Sequence, residues 1–303
     1  MYKGKNSIVR KWISPQFGMS GWRIDVGNMT GRLGADDLHD DVMHGIRQAM
    51  DETNPDAWLV AENGDFVASD LNGLGWHGAM NYQGFMRPVW NWLNRNSEIG
   101  GGFQGLPFAM PQISGQQLIN SMKQFNASVP WRSVTASMVL LDSHDTARFR
   151  TVVKGDVASH LSAMTMVLTY PGVPSIFAGD EIGLEGSWGE DGRRTINWDD
   201  RSGWDHAFMD NVRELISIRK GNDALINGGL RWIAAEKDFI LYLRESKKQS
   251  ILVFVSRSAV NVKIDLADLG LQVSKTLYGH SASGSKFGVK SKSAVQAIWE
   301  VTR

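Results

Sequence analysis

Four segments of the sequence place acidic side chains directly after a short apolar run. Asp25 ends GWRID, Glu62 ends WLVAE, Asp145 follows MVLLDSH, and Asp180 and Glu181 follow IFAG. In parallel α/β folds, ligands and catalytic groups gather at the carboxyl ends of the strands. We therefore expect these carboxylates to meet at one rim of such a sheet.

Several carboxylates at one rim are typical of glycoside hydrolysis, which needs no metal. One carboxylate attacks the anomeric carbon, and a carboxylic acid protonates the leaving oxygen; at a separation of about 5–5.5 Å the reaction retains the configuration. Asp25 and Glu62 are the natural pair. Like charges gathered without a function would be costly, which favours a site over an accident of stability.

Arg23 and Asp25 are two residues apart, so they lie on the same face of a strand. A buried aspartate beside an arginine stays ionised, because the cation favours the charged form, and such a carboxylate is a usable nucleophile. An isolated Arg-x-Asp is more often a structural ion pair, since ion-pair networks also perturb pKa values. The recurrence of acidic strand ends is what favours the functional interpretation.

Apolar periodicity predicts short strands separated by helices over the first part of the chain. The predicted strands lie near 21–26, 57–61, 79–82, 134–141 and 174–178. The predicted helices lie near 8–13, 36–53, 84–95, 114–126, 157–169 and 204–219. Nearly all-apolar strands that alternate with helices indicate an α/β fold with a parallel sheet covered on both faces.

After residue 226 the pattern changes to short alternating strands with no helix between them. RWIAAE, DFILYLRE, SILVFVSR, VNVKIDL, SKTLYGH and AVQAIWEV are the predicted strands. This pattern predicts an antiparallel β-sandwich. We therefore divide the chain into residues 1–226 and residues 227–303.

Five motifs between residues 21 and 199 resemble those of one enzyme family in both order and spacing. They are GWRIDVGN, AEN, LLDSHDTARF, YPGVPSIFAGDEIGLEG and RRTINWDD. Together they resemble the α-amylase superfamily, glycoside hydrolase family thirteen, and most of all its neopullulanase, cyclomaltodextrinase and α-glucosidase branch. The resemblance implies a (β/α)8 TIM barrel followed by a β-rich C-terminal domain.

The resemblance also implies roles for individual residues. Asp25 would be the nucleophile, Glu62 the general acid/base, and Asp145 the carboxylate that holds substrate hydroxyls and stabilises the transition state. Arg23 would orient Asp25, and His144 would bind the sugar at the cleavage point. Further candidates for substrate binding are Asn28, Tyr82 and Arg148. Met29 and Asn63-Gly64 depart from the residues that are common at these positions in the family. Both positions lie near the part of the site that binds the leaving group, so the departures concern leaving-group preference.

A family barrel has eight strands, and the sequence accounts only for strands four to eight. We therefore expect a partial (β/α)8 TIM barrel, the C-terminal portion of such an enzyme. Such a barrel has open strand edges, which favour association. Calcium occurs in some family members, but no ligand set in this sequence calls for it, and we expect no cofactor.

Composition excludes several classes of protein. Lys+Arg (32) balance Asp+Glu (32), so no electrostatic signature of nucleic-acid or membrane binding is present. The chain has no Cys, which excludes disulfides and a thiolate zinc site. No apolar stretch has the length of a signal peptide or membrane span, and we expect a cytoplasmic protein.

Two other motifs have simpler explanations than a site. DDLHDDVMH places Asp40 and His44 four residues apart, as metal ligands can be, but acidic residues in the first turn of a helix also complement its dipole. Gly100-Gly101-Gly102 lacks the Gly-Lys-Ser/Thr that a phosphate loop requires, and it is typical of a flexible loop such as a lid.

Two functions follow from the sequence. The first is a retaining glycosidase that acts on α-glucans or maltooligosaccharides. The alternative is an inactive carbohydrate-binding or partner-dependent remnant of such an enzyme. Intact Asp25, Glu62 and Asp145 favour the first, and the absent strands favour the second.

Overall fold

The structure, a computed structural model, describes residues 1–64, 66–95 and 110–303. The chain forms two compact units, Met1–Gly84 with Lys123–Val139 and Phe85–Met122 with Leu140–Arg303. The helices are α1 (Ile8–Ile13), α2 (His39–Asp51), α3 (Arg87–Leu93), α4 (Gly115–Ser128), α5 (Trp131–Ala136), α6 (Phe149–Val152), α7 (Val157–Thr169), α8 (Gly189–Gly192), α9 (His206–Gly221) and α10 (Asp223–Asn227). The strands are β1 (Gly21–Ile24), β2 (Arg32–Leu33), β3 (Asp36–Asp37), β4 (Trp58–Ala61), β5 (Gly78–Ala79), β6 (Met138–Val139), β7 (Val173–Pro174), β8 (Gly229–Ala235), β9 (Phe239–Glu245), β10 (Ser250–Ser256), β11 (Val260–Asp265), β12 (Gln272–Gly279), β13 (Lys286–Ser291) and β14 (Gln296–Thr302).

A parallel sheet in the order β1-β4-β5 organises the first unit. Ile24 pairs with Ala61, so the last residues of β1 and β4 are level with each other. The residues that follow, Asp25 and Glu62, consequently leave the sheet at the same edge. Met80 continues the parallel pairing through a bridge to Met138.

The apolar face of α2 packs on this sheet. Met43, Ile46 and Met50 are buried in one cluster with Leu59 of β4, as the 3.6-residue repeat of the helix predicts. Truncation of one such buried side chain to alanine costs about 2–5 kcal/mol. The core therefore fixes the strand that leads into Glu62.

β4 and β5 lie close to the segment that ends α5. Trp58 Nε1 donates to the carbonyl oxygen of Ala136 at 2.8 Å. A Cβ on Gly78 would lie only 2.4 Å from that same oxygen, so this close approach requires glycine. His77 Nδ1 accepts the Leu59 N–H at 2.9 Å, and burial lowers the pKa of His77.

The C-terminal strands of the second unit form an antiparallel sheet in the order β12-β14-β10-β9-β8, and β11 pairs separately with β13. Their inner residues form a second core that includes Phe254, Val289 and Trp299. Buried Arg244 donates to the carbonyl oxygens of Gly228 at 2.7 Å and Gly229 at 3.0 Å, and burial lowers its pKa to about 10. The sequence missed β13, because only Phe287 and Val289 of its six residues are apolar.

Four predicted strands are clearly shorter in the structure. Those near 79–82 and 174–178 are reduced to β5 and β7, and the other two have visible local causes. The strand predicted at 21–26 ends at Ile24, because Val26 has a positive φ of 43° that no strand accommodates. The strand predicted at 134–141 is reduced to β6, because Pro130 begins α5 and its carbonyl accepts the Val134 N–H at 3.2 Å. Local hydrogen bonds override the β-branched composition there.

Two expectations about organisation stay predictions. The predicted domain boundary at residue 226 does not coincide with the boundaries of the two compact units. The compact units do not test that boundary, so it stays a prediction. Within the described residues, β1 pairs with β4 on one side and with no strand on the other, and association through that edge stays a prediction. None of the helices in the described part of the chain is long and apolar enough to cross a bilayer.

Candidate active site

The guanidinium of Arg23 lies between the two carboxylates proposed for chemistry. Its Nη1 pairs with Oδ1 of Asp25, and its Nη2 lies 3.8 Å from Oε2 of Glu62. The parallel register of β1 and β4 produces this arrangement, because Arg23 is level with Val60, two residues before Glu62.

A backbone contact also joins the two strand ends. The Val26 N–H donates to Glu62 Oε2 at 2.7 Å, and the Gly27 N–H donates to the Glu62 carbonyl oxygen at 2.7 Å. The positive φ of Val26, rare for a β-branched residue, turns its N–H toward Glu62. The next residue, Gly27, lies close to the end of β4, because a Cβ on it would lie 2.7 Å from Cβ of Ala61.

The two acids differ in their environment. The side chain of Glu62 is only 12% exposed. That of Asp25 is 76% exposed, which corrects the expectation of a buried aspartate. The reason is that β1 ends at Ile24, so Asp25 belongs to the turn rather than to the strand.

In the second unit, Asp145 is held by two side chains. Its Oδ1 accepts from Arg193 Nη2 at 3.0 Å, and its Oδ2 lies 3.2 Å from His144 Nε2. Arg193 Nε also donates to the His144 carbonyl oxygen at 2.6 Å. Arg193 thus fixes both residues of the predicted His-Asp pair.

A buried cluster lies beneath this loop. Arg148 Nη1 donates to Asp180 Oδ1 at 2.7 Å, and Asp142 Oδ2 accepts the Phe149 N–H at 2.6 Å. The Asp142 carboxyl also interacts with that of Asp180. Burial, together with the charge of Asp180, raises the pKa of Asp142 well above its ordinary value.

Arg148 ties this cluster to the segment of Arg193. Its Nε donates to the Gly192 carbonyl oxygen at 2.9 Å and its Nη2 to that of Ala178 at 2.9 Å. The guanidinium also stacks on Phe177, 4.0 Å from the ring centroid. Each of the three nitrogens of this buried side chain thus has a protein partner, and the role of Arg148 in binding substrate stays a prediction.

The remaining predicted binding residues have different environments. Tyr82 is buried in a π-helical turn (Tyr82–Met86), with its hydroxyl 4.0 Å from Met80 Sδ. Asn28 is half-buried, and its carbonyl accepts from Arg32 Nη1. Neither position tests a role in binding substrate, so both stay predictions.

Sequence reasoning missed the partners of these residues. Arg193 belongs to RRTINWDD, but nothing in its spacing indicated which carboxylate it would bind. Asp142 was part of the motif LLDSHDTARF, and its polar character at the end of an apolar run was the signal that could have revealed the cluster.

The sequence also suggested a metal motif around Asp40 and a glycine loop at residues 100–102. Among residues 1–64, 66–95 and 110–303, no group of three or more His, Asp or Glu side chains is arranged to hold a metal ion. Asp40 and Asp41 lie in the first turn of α2, where they complement the helix dipole. Gly100-Gly101-Gly102 lies outside the described residues.

Comparison with known proteins agrees with the motifs. The family model for the α-amylase catalytic domain matches residues 1–256. An amylopullulanase of Thermoanaerobacterium saccharolyticum is 30% identical over 253 residues, covering 77% of this chain and 18% of its own. A cyclomaltodextrinase of a Bacillus species is 30% identical over 249 residues, covering 81% of this chain and 40% of its own.

A solved structure gives the fold. The crystal structure of a debranching enzyme from Nostoc punctiforme superposes with a TM-score of 0.82 at 25% identity, covering 96% of this chain and 60% of that chain. This confirms the expected fold class, a partial (β/α)8 barrel followed by an antiparallel β domain. The chain spans only 18% and 40% of the lengths of the two relatives named above. With more than half its residues matched by the family model, the chain belongs to the α-amylase catalytic-domain family.

Proposed function

We propose that this chain provides the nucleophile and the acid/base of a retaining glycosidase that acts on α-glucans or maltooligosaccharides. The observation that carries the proposal is the Arg23 guanidinium between Asp25 and Glu62 at the shared edge of β1 and β4. Membership of the α-amylase family supports it, as do relatives named for their action on cyclomaltodextrin and pullulan-type glucans.

In the proposed reaction, the Asp25 carboxylate attacks the anomeric carbon and forms a covalent glycosyl ester. Glu62 gives its proton to the leaving oxygen, and then takes a proton from the water that hydrolyses the ester. Because Val26 N–H occupies Glu62 Oε2, Oε1 is the oxygen placed to transfer the proton. Arg23 pairs with the Asp25 carboxylate and holds it in place for attack.

Asp145 would accept hydrogen bonds from substrate hydroxyls. Arg193 and His144 hold its two oxygens in place before substrate arrives. Hydrogen bonds to a charged acceptor are the stronger kind, so Asp145 can discriminate the transition state from the ground state. The proposal includes a cytoplasmic location, which fractionation of the host cells would test.

The test is hydrolysis of maltotriose and of an aryl α-glucoside by the purified 303-residue chain. We expect turnover with retention, seen by NMR as the α-anomer first. Asp25→Asn should abolish it, and Glu62→Gln should lower kcat on maltotriose about 10²–10⁴-fold, the usual contribution of acid–base catalysis. Asp56→Asn, at an exposed position on the loop before β4, is the matched control and should leave turnover unchanged.

The second candidate is a carbohydrate-binding protein without turnover. The exposure of Asp25 favours it, because a nucleophile in water lacks the excluded environment that strengthens electrostatic catalysis. If the folded chain and Asp25→Asn are both inert while calorimetry detects binding of maltotriose, the second candidate replaces the first.

A further inference from the structure

His39, the first residue of α2, is a buried histidine that the proposed reaction does not use. It is only 2% exposed, and the edge of its ring packs against Trp76, with ring centroids 6.3 Å apart. The sequence presented it within DDLHDDVMH as part of a candidate metal motif. Buried polar side chains normally have partners, so its contacts show what it does.

The two ring nitrogens contact two different loops. Nδ1 lies 2.8 Å from the carbonyl oxygen of Thr30, in the loop after β1. Nε2 lies 3.4 Å from Oδ1 of Asp70, a buried carboxylate in the segment after β4. A carbonyl oxygen only accepts, so the geometry calls for an N–H on Nδ1, and Nε2 lies within ion-pair distance of the Asp70 carboxylate.

The contact of His39 with Thr30, which we call the first arm, leads to Glu62 through backbone groups. Thr30 closes the turn that begins at Val26, because Thr30 Oγ1 donates to the Val26 carbonyl at 3.4 Å and Met29 N–H donates to it at 2.9 Å. The N–H of Val26 in turn donates to Glu62 Oε2 at 2.7 Å. A shift of Thr30 would therefore displace the group that holds the Glu62 carboxylate.

The contact of His39 with Asp70, which we call the second arm, leads to Asn63, the residue that follows Glu62 in the chain. Asp70 Oδ2 accepts from Asn63 Nδ2 at 3.4 Å, and Ser69 Oγ donates to Asp70 Oδ1 at 3.0 Å. Asn63 is buried and directly follows Glu62. Asn63 is one of the positions at which the sequence departs from the residues common in the family, so this arm belongs to this chain's own sequence.

We propose that His39 is a positioning residue that sets the place of the Glu62 carboxylate through both arms. This inference rests on the proposed function, because it assigns a role within the same reaction. A misplacement of a catalytic group by about 1 Å costs about a hundredfold in rate. His39 itself touches neither substrate nor the reacting atoms.

A leaving-group comparison separates positioning of Glu62 from a general structural role. Maltotriose needs protonation of its leaving oxygen, whereas 2,4-dinitrophenyl α-glucoside has a leaving group that departs without it. His39→Phe fills the same space without donors. We expect it to lower kcat on maltotriose about a hundredfold, with KM changed far less, and to lower kcat on the dinitrophenyl substrate less than tenfold.

Conservative variants test each arm. His39→Asn retains a donor near the position of Nδ1, and His39→Gln retains one near that of Nε2, so each should recover part of the lost kcat. His44→Gln, on the same helix but without either contact, is the control and should match the wild type. Equal losses on both substrates for His39→Phe, or wild-type kcat on maltotriose, would overturn the proposal.

A measurement without substrate separates this inference from the proposed function. The amide proton of Val26 reports the hydrogen bond to Glu62 Oε2 in a ¹⁵N NMR spectrum. We expect its signal to move in His39→Phe and to stay in place in His44→Gln. If the wild type turns over neither substrate, the proposed function fails, and this signal alone decides whether His39 positions Glu62.

Discussion

The loops of Asp25 and Glu62 are held mainly by backbone groups and by one histidine, whereas the loop of Asp145 rests on a cluster of buried charged side chains. In the first unit, Val26 N–H binds the Glu62 carboxylate directly, and the His39–Asp70 contact is long at 3.4 Å. In the second unit, Arg148 and Asp180 are both buried and pair at 2.7 Å.

This difference separates residues that position a catalytic candidate from residues that stabilise the fold. In the first unit the catalytic candidate Glu62 is itself a member of the network, so a change in the network alters its geometry. In the second unit Asp145 is bound by Arg193, while the buried ions lie beneath its loop. Changes in the first network should therefore alter rate more than stability, and changes in the second should alter stability more than rate.

The largest expected effect is on the buried pair. Asp180→Leu leaves the Arg148 guanidinium buried without its carboxylate, which should lower the free energy of unfolding by about 3–5 kcal/mol. Urea denaturation followed by tryptophan fluorescence measures it. Asp210→Asn, which breaks the exposed pair with Arg213, should cost less than about 1 kcal/mol. A comparable loss for Asp70→Asn in the first unit would remove the contrast.

The second effect concerns the arginine that binds Asp145. Arg193→Ala removes a charged hydrogen bond worth about 1.5–3 kcal/mol, so kcat/KM on maltotriose should fall about 10- to 100-fold. Arg194→Ala is the neighbouring control, because Arg194 Nε pairs with Asp191 at 2.9 Å and not with Asp145. Equal kcat/KM for the two variants would show that Arg193 does not hold Asp145 for the reaction.

A third effect distinguishes the units by pH. Because the pKa of Asp142 is raised in the folded chain, its contribution to stability is complete below the ordinary pKa of 3.8 and is lost as pH rises through the folded value. Asp142→Asn can still donate to Asp180 and accept from Phe149, and it does not titrate. Its stability relative to the wild type should increase from pH 4 upward, which urea midpoints measured across pH would show. A constant difference would mean that Asp142 is not the protonated partner.

The smallest effect has the opposite sign and lies in the first unit. Burial lowers the pKa of His77, so its contribution to stability is present above the ordinary pKa of 6.5 and is lost as pH falls through the folded value. His77→Asn keeps an acceptor for the Leu59 N–H. We expect the wild type to lose stability relative to this variant as the pH is lowered below 6.5. If both lose stability in parallel, His77 is not the titrating group.

The sequence predicted the helices and strands whose apolar residues recur with a regular period. α7 has the predicted bounds of 157–169, and β4 is within one residue of the predicted 57–61, because long apolar repeats determine burial. The sequence also predicted that Arg23 and Asp25 lie together, and they pair although Asp25 belongs to the turn after β1. These features depend on residues close in sequence.

Features that depend on distant partners were not accessible from the sequence. Asp142 and Asp180 are 38 positions apart, and nothing in either motif indicated that the two carboxyl groups interact. The exposure of Asp25 depends on where β1 ends, which the left-handed conformation of Val26 decides. Arg148 looked like a substrate ligand in the motif, and only its contacts in three dimensions identify protein partners for all its donors.

The left-handed conformation of Val26 also has a consequence for the order of folding. A non-glycine residue in this conformation costs about 1–3 kcal/mol and persists only where the surroundings enforce it. Here the enforcing acceptor, Glu62, is 36 residues away along the chain. A peptide of residues 21–31 alone should therefore not adopt this turn. The turn that contains Asp25 should therefore form only after β1 and β4 have paired.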